Sequence, residues 1–158
     1  CQSVPLVIGM RRSTVLPALS LGKTVLRRIP ITNGTDWHQD GAFLGADIRV
    51  VNLWVTLSDC GVDAAGLDVI AKRFPNVLET GTQGAQFNWS VGPGLVDSMQ
   101  PPVKIQTPVF RAGDAMMFDQ FCLHRTGIRP GMTKERYAIE SWMFAPSAFP
   151  MDQFPLFV

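Results

Sequence analysis

Histidine is scarce in this chain: 158 residues hold two, His38 and His124. Chemistry that needs imidazole must draw on these and has none to spare. Cysteine is nearly as sparse. Cys1, Cys60 and Cys122 form an odd, widely spaced set, which argues against a disulfide framework, lacks the paired spacing of a zinc site and points to a reducing compartment. Charge is thin: Asp, Glu, Lys and Arg make up 17% of residues against a usual share of about 25%. With a net charge of +1 and 46% hydrophobic residues, neither a polybasic nucleic-acid-binding protein nor a disordered segment fits. No apolar run reaches the roughly 18 residues of a membrane span. Arg11, Arg12, Lys23, Arg27 and Arg28 are scattered among apolar residues without the ordered regions of a signal peptide. The expectation is a soluble, cytoplasmic protein with no membrane and no nucleic-acid partner.

What is present fits one domain over residues 1–158, long enough to bury a sizeable core. The chain opens Cys1-Gln2-Ser3 without a methionine and reads as a fragment or processed product. Glycine (14) and proline (12) together exceed their average share of roughly 12%, which favours short strands and turns over a helix bundle. Strands are predicted at 25–31, 48–57, 67–72, 108–110, 115–118, 121–124 and 136–144. Residues 79–102 read as a glycine- and proline-rich connection, and the first 24 as mixed. In 48–57, Val51, Leu53, Val55 and Leu57 share one face. The opposite face, Val50, Asn52, Trp54 and Thr56, mixes polar groups with an aromatic and suits a cavity wall better than a dry core. Short strands at turn-separated intervals suggest a sandwich, jelly roll or barrel.

Trp37-His38-Gln39-Asp40-Gly41 sets an imidazole and a carboxylate at i and i+2, which share a face on extended backbone. His124, at the end of the apolar stretch Phe121-Cys122-Leu123, is the only other histidine and the natural third ligand. Two histidines and one carboxylate on one face of a metal form the facial triad of non-haem Fe(II) oxygenases, whose open positions admit oxygen and a co-substrate. A His-x-Asp triplet alone is a weak pattern, and a histidine ending a strand is commonly structural. The weight comes from both histidines fitting and from the arginine that follows. Arg136 opens RYAIESWMF after a loop containing Gly127, Pro130 and Gly131, so a reversal there would bring it beside the end of the strand bearing His124. A planar, permanently charged guanidinium suits the distal carboxylate of a 2-oxoacid. Fe(II), Asp40, 2-oxoglutarate and Arg136 together carry no net charge, as a dry cavity requires. Arg125 and Arg129 are the alternatives for this role.

WHQDGAFLG, VNLWVTLSD, GLDVI, RAGDAMMFD, FCLHRTG and ERYAIESWMF, spread over residues 36–146, together resemble the phytanoyl-CoA dioxygenase family of Fe(II)/2-oxoglutarate-dependent oxygenases. The resemblance implies a mainly β fold, a double-stranded β-helix (jelly-roll or cupin-like barrel) with few helices. It implies Fe(II) held by His38, Asp40 and His124, and 2-oxoglutarate anchored by Arg136 with the Thr126 hydroxyl beside it. Trp54 matches an aromatic that lines the pocket, and Gln39 belongs to the H-Q-D form of the motif. The implied reaction consumes O2 and 2-oxoglutarate and hydroxylates an unactivated C–H of a small organic substrate, with succinate and CO2 as co-products. Asp40 favours hydroxylation, because related halogenases leave that position to a small residue so that chloride can bind.

The chain departs from the family pattern in two places. Gly66 to Phe74 lacks a Pro-Gly-Ser-His turn, and only 37 residues precede His38 where relatives carry a longer N-terminal portion. These departures favour a rival reading as a non-catalytic jelly-roll module that binds a metal or small molecule; a cupin-like metalloenzyme that uses no oxoacid is a third. Phe43, Asn52, Trp54, Glu140 and Trp142 are the expected pocket lining. The proline-punctuated tail 144–158 is expected to pack on the barrel or to cover a homo-oligomer surface.

Overall fold

The computed structural model describes residues 21–30, 34–45 and 47–148; the readings of residues 1–20 and of the tail from 149 onward lie outside these. Alternating apolar and polar side chains, with β-branched and aromatic residues enriched, favour half-buried strands. The strands are β1 (Leu21–Ile29), β2 (Val50–Thr56), β3 (Gly66–Ile70), β4 (Ile105–Gln106), β5 (Ala115–Asp119), β6 (His124–Gly127) and β7 (Arg136–Phe144). Two short helices, α1 (Gly41–Leu44) and α2 (Pro93–Ser98), interrupt them. One sheet has the order β1-β7-β2-β5 and the other β4-β3-β6, with every strand pairing antiparallel. The architecture is the mainly β, double-stranded β-helix that the sequence implies. No helix among the described residues is long and apolar enough to cross a membrane.

Strand alternation decides which side chains face the interior. In β2 Val50, Asn52, Trp54 and Thr56 are buried, whereas Val51, and Leu57 just past the strand, are exposed. In β7 Arg136, Ala138, Trp142 and Phe144 point the same way, and Asn52 lies directly opposite Trp142 in the β2–β7 register. The polar-and-aromatic face of 48–57 is therefore the inner one. Strand β3 is buried along its whole length. Leu67 and Val69 pack with Trp54, Phe110 and Phe118 between the sheets. Ile70 joins a second cluster, Trp37, Phe74, Val91, Val96 and Leu123. Burying an aliphatic or aromatic side chain of this size contributes about 1.5–3 kcal/mol, so the connection 79–102, which supplies Val91 and Val96, is part of the core rather than a loose tether.

Several predicted boundaries move for identifiable reasons. The strand expected at 108–110 falls at Ile105–Gln106, because Pro108 has no N–H to offer a ladder; Phe110 instead makes an isolated bridge with Cys60. The strand expected at 121–124 is a turn. Asp119 accepts the Phe121 N–H through its carboxylate (3.0 Å) and the Cys122 N–H through its carbonyl (3.2 Å), so His124 begins β6 rather than ending a strand. Arg136 does not lie beside β6: β7 belongs to the four-stranded sheet and β6 to the three-stranded one. The arginine reaches across the interior instead.

Asp68 ties β3 to β6. Its carboxylate, 2% exposed, takes Arg125 Nε at 3.0 Å and Arg129 Nη2 at 2.5 Å. The Arg125 guanidinium also sits 4.5 Å over the Trp37 ring. A Cβ at position 127 would stand 2.6 Å from Asp68 Oδ1, which explains the glycine there. Gly92 is constrained more severely, since a Cβ would collide with the carbonyl oxygens of Thr82 and Gln83. Its φ of −65° is ordinary, so the demand is steric and not conformational.

Gly92→Ala should lower stability by roughly 1–3 kcal/mol through overpacking, seen as a lower urea midpoint at unchanged slope. Gly131→Ala is the control. Its Cβ would meet nothing within 4 Å, although φ is +90°, so its loss should be limited to the roughly 1–2 kcal/mol of a left-handed residue.

Candidate metal centre

The segment before α1 is fastened to β6 by a pair of backbone hydrogen bonds. His38 N–H donates to the His124 carbonyl (2.9 Å) and His124 N–H to the His38 carbonyl (3.0 Å). Directly opposed residues of an antiparallel pair project to the same side, and the two imidazole centroids lie 4.2 Å apart. Past His38 the chain leaves the extended state. Asp40 is right-handed helical (φ −58°, ψ −31°) and stands at the N-cap of α1, yet its carboxylate makes no capping bond. That carboxylate turns instead toward the histidines, with Oδ1 3.8 Å from His38 Nε2 and 3.8 Å from His124 Nε2. One donor atom from each of the three residues lies within 4.8 Å of the others.

Hydrogen bonds behind the donors fix which atoms face inward. His38 Nδ1 lies 2.8 Å from the Asp36 carbonyl and His124 Nδ1 lies 3.0 Å from the Cys122 carbonyl. A carbonyl can only accept, so each Nδ1 carries a proton and each Nε2 is the nitrogen left to face the carboxylate. Burial, with a smaller contribution from His124, pushes the His38 pKa down to about 3, leaving a neutral ring at physiological pH. Asp40 Oδ2 accepts from Asn52 Nδ2 (3.0 Å) and from the Trp142 indole N–H (2.8 Å). Two imidazoles and one carboxylate, converging and oriented from behind, fit the nitrogen and oxygen donor set of a divalent iron. Gln39 points the opposite way. Its amide donates to the Phe121 carbonyl (2.7 Å) and accepts from Leu78 N–H (2.7 Å), which stitches the turn to neighbouring loops.

The three donors open onto a cavity of about 580 Å³. Of the expected lining, Phe43, Asn52, Glu140 and Trp142 are in its wall. Thr126 also faces it, and its hydroxyl accepts the Thr35 N–H at 3.0 Å. Trp54 lies beneath the wall, 1% exposed, with its ring 5.2 Å from the Arg136 guanidinium. Arg136 lines the cavity at 2% exposure and donates from Nη1 to the Gly66 carbonyl (2.7 Å) and more weakly to that of Ala65 (3.3 Å). Among the described residues its Nε has no partner and it forms no ion pair. Burial lowers its pKa below the usual arginine value. Arg125 and Arg129, the alternatives, are both engaged with Asp68.

Sequence reasoning missed part of the aromatic side of the cavity. Trp89, from the connection 79–102, stands edge-on to His38 at 5.4 Å and stacks on Phe87 at 4.9 Å. The one signal was Phe87-Asn88-Trp89 inside an otherwise polar, glycine-rich stretch. Arg27, paired with Glu140 at 3.0 Å, was missed likewise. Cys60 and Cys122 are free thiols, and burial pushes Cys122 up to about 12.

A search of curated protein sequences finds no match. Among solved structures, EvdO2 from Micromonospora carbonacea var. aurantiaca superposes with a TM-score of 0.58 at 19% identity, over 78% of this chain and 50% of that one. EctD from S. alaskensis, in a crystal with 2-oxoglutarate and 5-hydroxyectoine, gives a TM-score of 0.61 at 16% identity, over 79% of this chain and 44% of that one. AviO1 from Streptomyces viridochromogenes Tue57 gives 0.51 at 18% identity, over 80% and 50%. The chain thus spans about half the length of the structures it matches. The profile of the phytanoyl-CoA dioxygenase family matches residues 23–128, which include His38, Asp40 and His124, and on that match the chain belongs to the phytanoyl-CoA dioxygenase family.

Proposed function

We propose that this chain is the core of an Fe(II)- and 2-oxoglutarate-dependent oxygenase that hydroxylates an unactivated C–H of a small organic substrate. The observation that carries the reading is the convergence of His38 Nε2, His124 Nε2 and Asp40 Oδ1 on the cavity that Arg136 also lines. His38, Asp40 and His124 would hold the iron. Once bound, the iron would let O2 and the oxoacid react together, yielding succinate and CO2 while oxygen is inserted into the substrate.

The chain's own residues set the conditions for this. Arg136, buried without a carboxylate partner among the described residues, is a charge in search of a counter-ion, and a buried unpaired charge is costly. The distal carboxylate of 2-oxoglutarate supplies that counter-ion, and the free Nε–H and the Thr126 hydroxyl offer it further hydrogen bonds. Trp54 packs against the guanidinium and limits where it can move. Asp40 and the two neutral imidazoles leave one negative charge to balance the cation, so the loaded site would be close to neutral. The aromatic wall of Phe43 and Trp89 beside His38 keeps water from that side.

Anaerobic titration with Fe(II) and 2-oxoglutarate tests the reading. A weak visible metal-to-ligand charge-transfer band is expected; its absence would favour the metal- or small-molecule-binding module. Arg136→Met should weaken 2-oxoglutarate binding by about 2–5 kcal/mol, the usual cost of truncating one partner of a buried charge pair, while Fe(II) still binds. Asp40→Ala should abolish succinate formation, and 2-oxoglutarate decarboxylation at the unsubstituted rate would overturn the ligand assignment.

A further inference from the structure

Asp40 is the only one of the three donor residues with two equivalent ligand atoms. A carboxylate free to rotate can offer a metal one oxygen or both. The surroundings of this one are not symmetric. Oδ2 accepts two hydrogen bonds, from Asn52 Nδ2 at 3.0 Å and Trp142 Nε1 at 2.8 Å, whereas Oδ1 is the atom that faces both histidines. The two donors sit opposite each other on adjacent strands, β2 and β7, and are 2% and 5% exposed, so they move only if the sheet moves. The orientation of the Asn52 amide follows from its partner: an ionised carboxylate can only accept, so Nδ2 must face Oδ2. Asn52 Oδ1 is then left buried without a partner among the described residues, in the cavity wall. An orphaned buried acceptor is costly. A leucine of similar size would avoid that cost, which argues that the amide is there for its donor.

We propose that Asn52 and Trp142 are positioning residues that commit Asp40 to single-oxygen ligation: they occupy Oδ2, present Oδ1 alone to the metal, and keep the position a second carboxylate oxygen would take open for other ligands. This rests on the iron reading given above. The two N–H groups also withdraw charge from the carboxylate and hold its plane, the way outer hydrogen-bond partners tune a metal ligand.

The test uses Asn52→Leu and Trp142→Phe, each of which removes one N–H and keeps most of the packing, with Asn52→Gln as the conservative variant that retains an amide. The readouts are the Fe(II) dissociation constant by anaerobic calorimetry and the visible band on adding 2-oxoglutarate, with near-ultraviolet circular dichroism reporting the fold. Each donor deletion should weaken Fe(II) binding by about 10–100-fold, the range for outer-shell partners, and shift the band, and Asn52→Gln should recover most of the affinity. Folded deletion variants with unsubstituted affinity and an unshifted band would overturn the inference while leaving the iron reading intact. Failure of the unsubstituted chain to bind Fe(II) would overturn the iron reading and this one with it. If a variant does not fold, the assigned Trp142 indole N–H in the unsubstituted chain decides: slow exchange with solvent and a resonance that moves on adding Fe(II) support the proposal, and rapid exchange overturns it.

Discussion

The pair of backbone hydrogen bonds between His38 and His124 is the constraint on which the site depends. Without it the two imidazoles, far apart in sequence, have no common frame, because neither ring is hydrogen-bonded to the other. With it, one short bridge sets both Nε2 atoms on the same side. The pairing also draws the segment before α1 onto β6, the strand that β3 grips through its own ladder and through Asp68 with Arg125 and Arg129. Stability and site geometry are thus carried by the same strand, and a change that loosens β6 moves both at once.

Polar groups buried in the two sheets fall into two kinds. Asp68 and Gln39 have partners on every side and serve the scaffold. Among the described residues Asn52 Oδ1 and Arg136 Nε have none and border the cavity, while Trp54 Nε1 has none and lies against Arg136. A protein interior tolerates few such orphans, and two of them bordering one cavity is what a site with a missing polar occupant looks like. The proposed dicarboxylate co-substrate and the proposed single-oxygen ligation by Asp40 each account for part of that pattern.

Much of the sheet system was legible because it rests on alternation. RYAIESWMF spans residues 136–144 both as predicted and as observed, and the inner face of β2 was read from the placement of Asn52 and Trp54. The misplaced strands were short ones whose ends are set by local competition: Pro108 denies a donor, and the Asp119 carboxylate captures the Phe121 N–H. Alternation cannot see either effect. The His-x-Asp spacing predicted convergence on extended backbone, yet Asp40 is helical, so the carboxylate arrives by a turn and not by strand geometry. The three donors come together by a local path that alternation does not foresee, because residue type and scarcity carry more information here than periodicity.

The sequence by itself determined the inventory: two histidines with nothing to spare, a carboxylate two residues from one of them, an arginine opening a strand, and the family motifs that tie them together. Those are properties of residue type and order, and they suffice to name candidates. Tertiary structure alone decided the rest. Sheet membership sent Arg136 across the interior to the Gly66 carbonyl instead of alongside β6. Packing put Trp54 under the wall and brought Trp89 out of a connection to stand against His38. The β2–β7 register set Asn52 and Trp142 on one carboxylate oxygen. Each is a contact between distant residues, fixed by sheet register and by steric fit, neither of which is written in local sequence order.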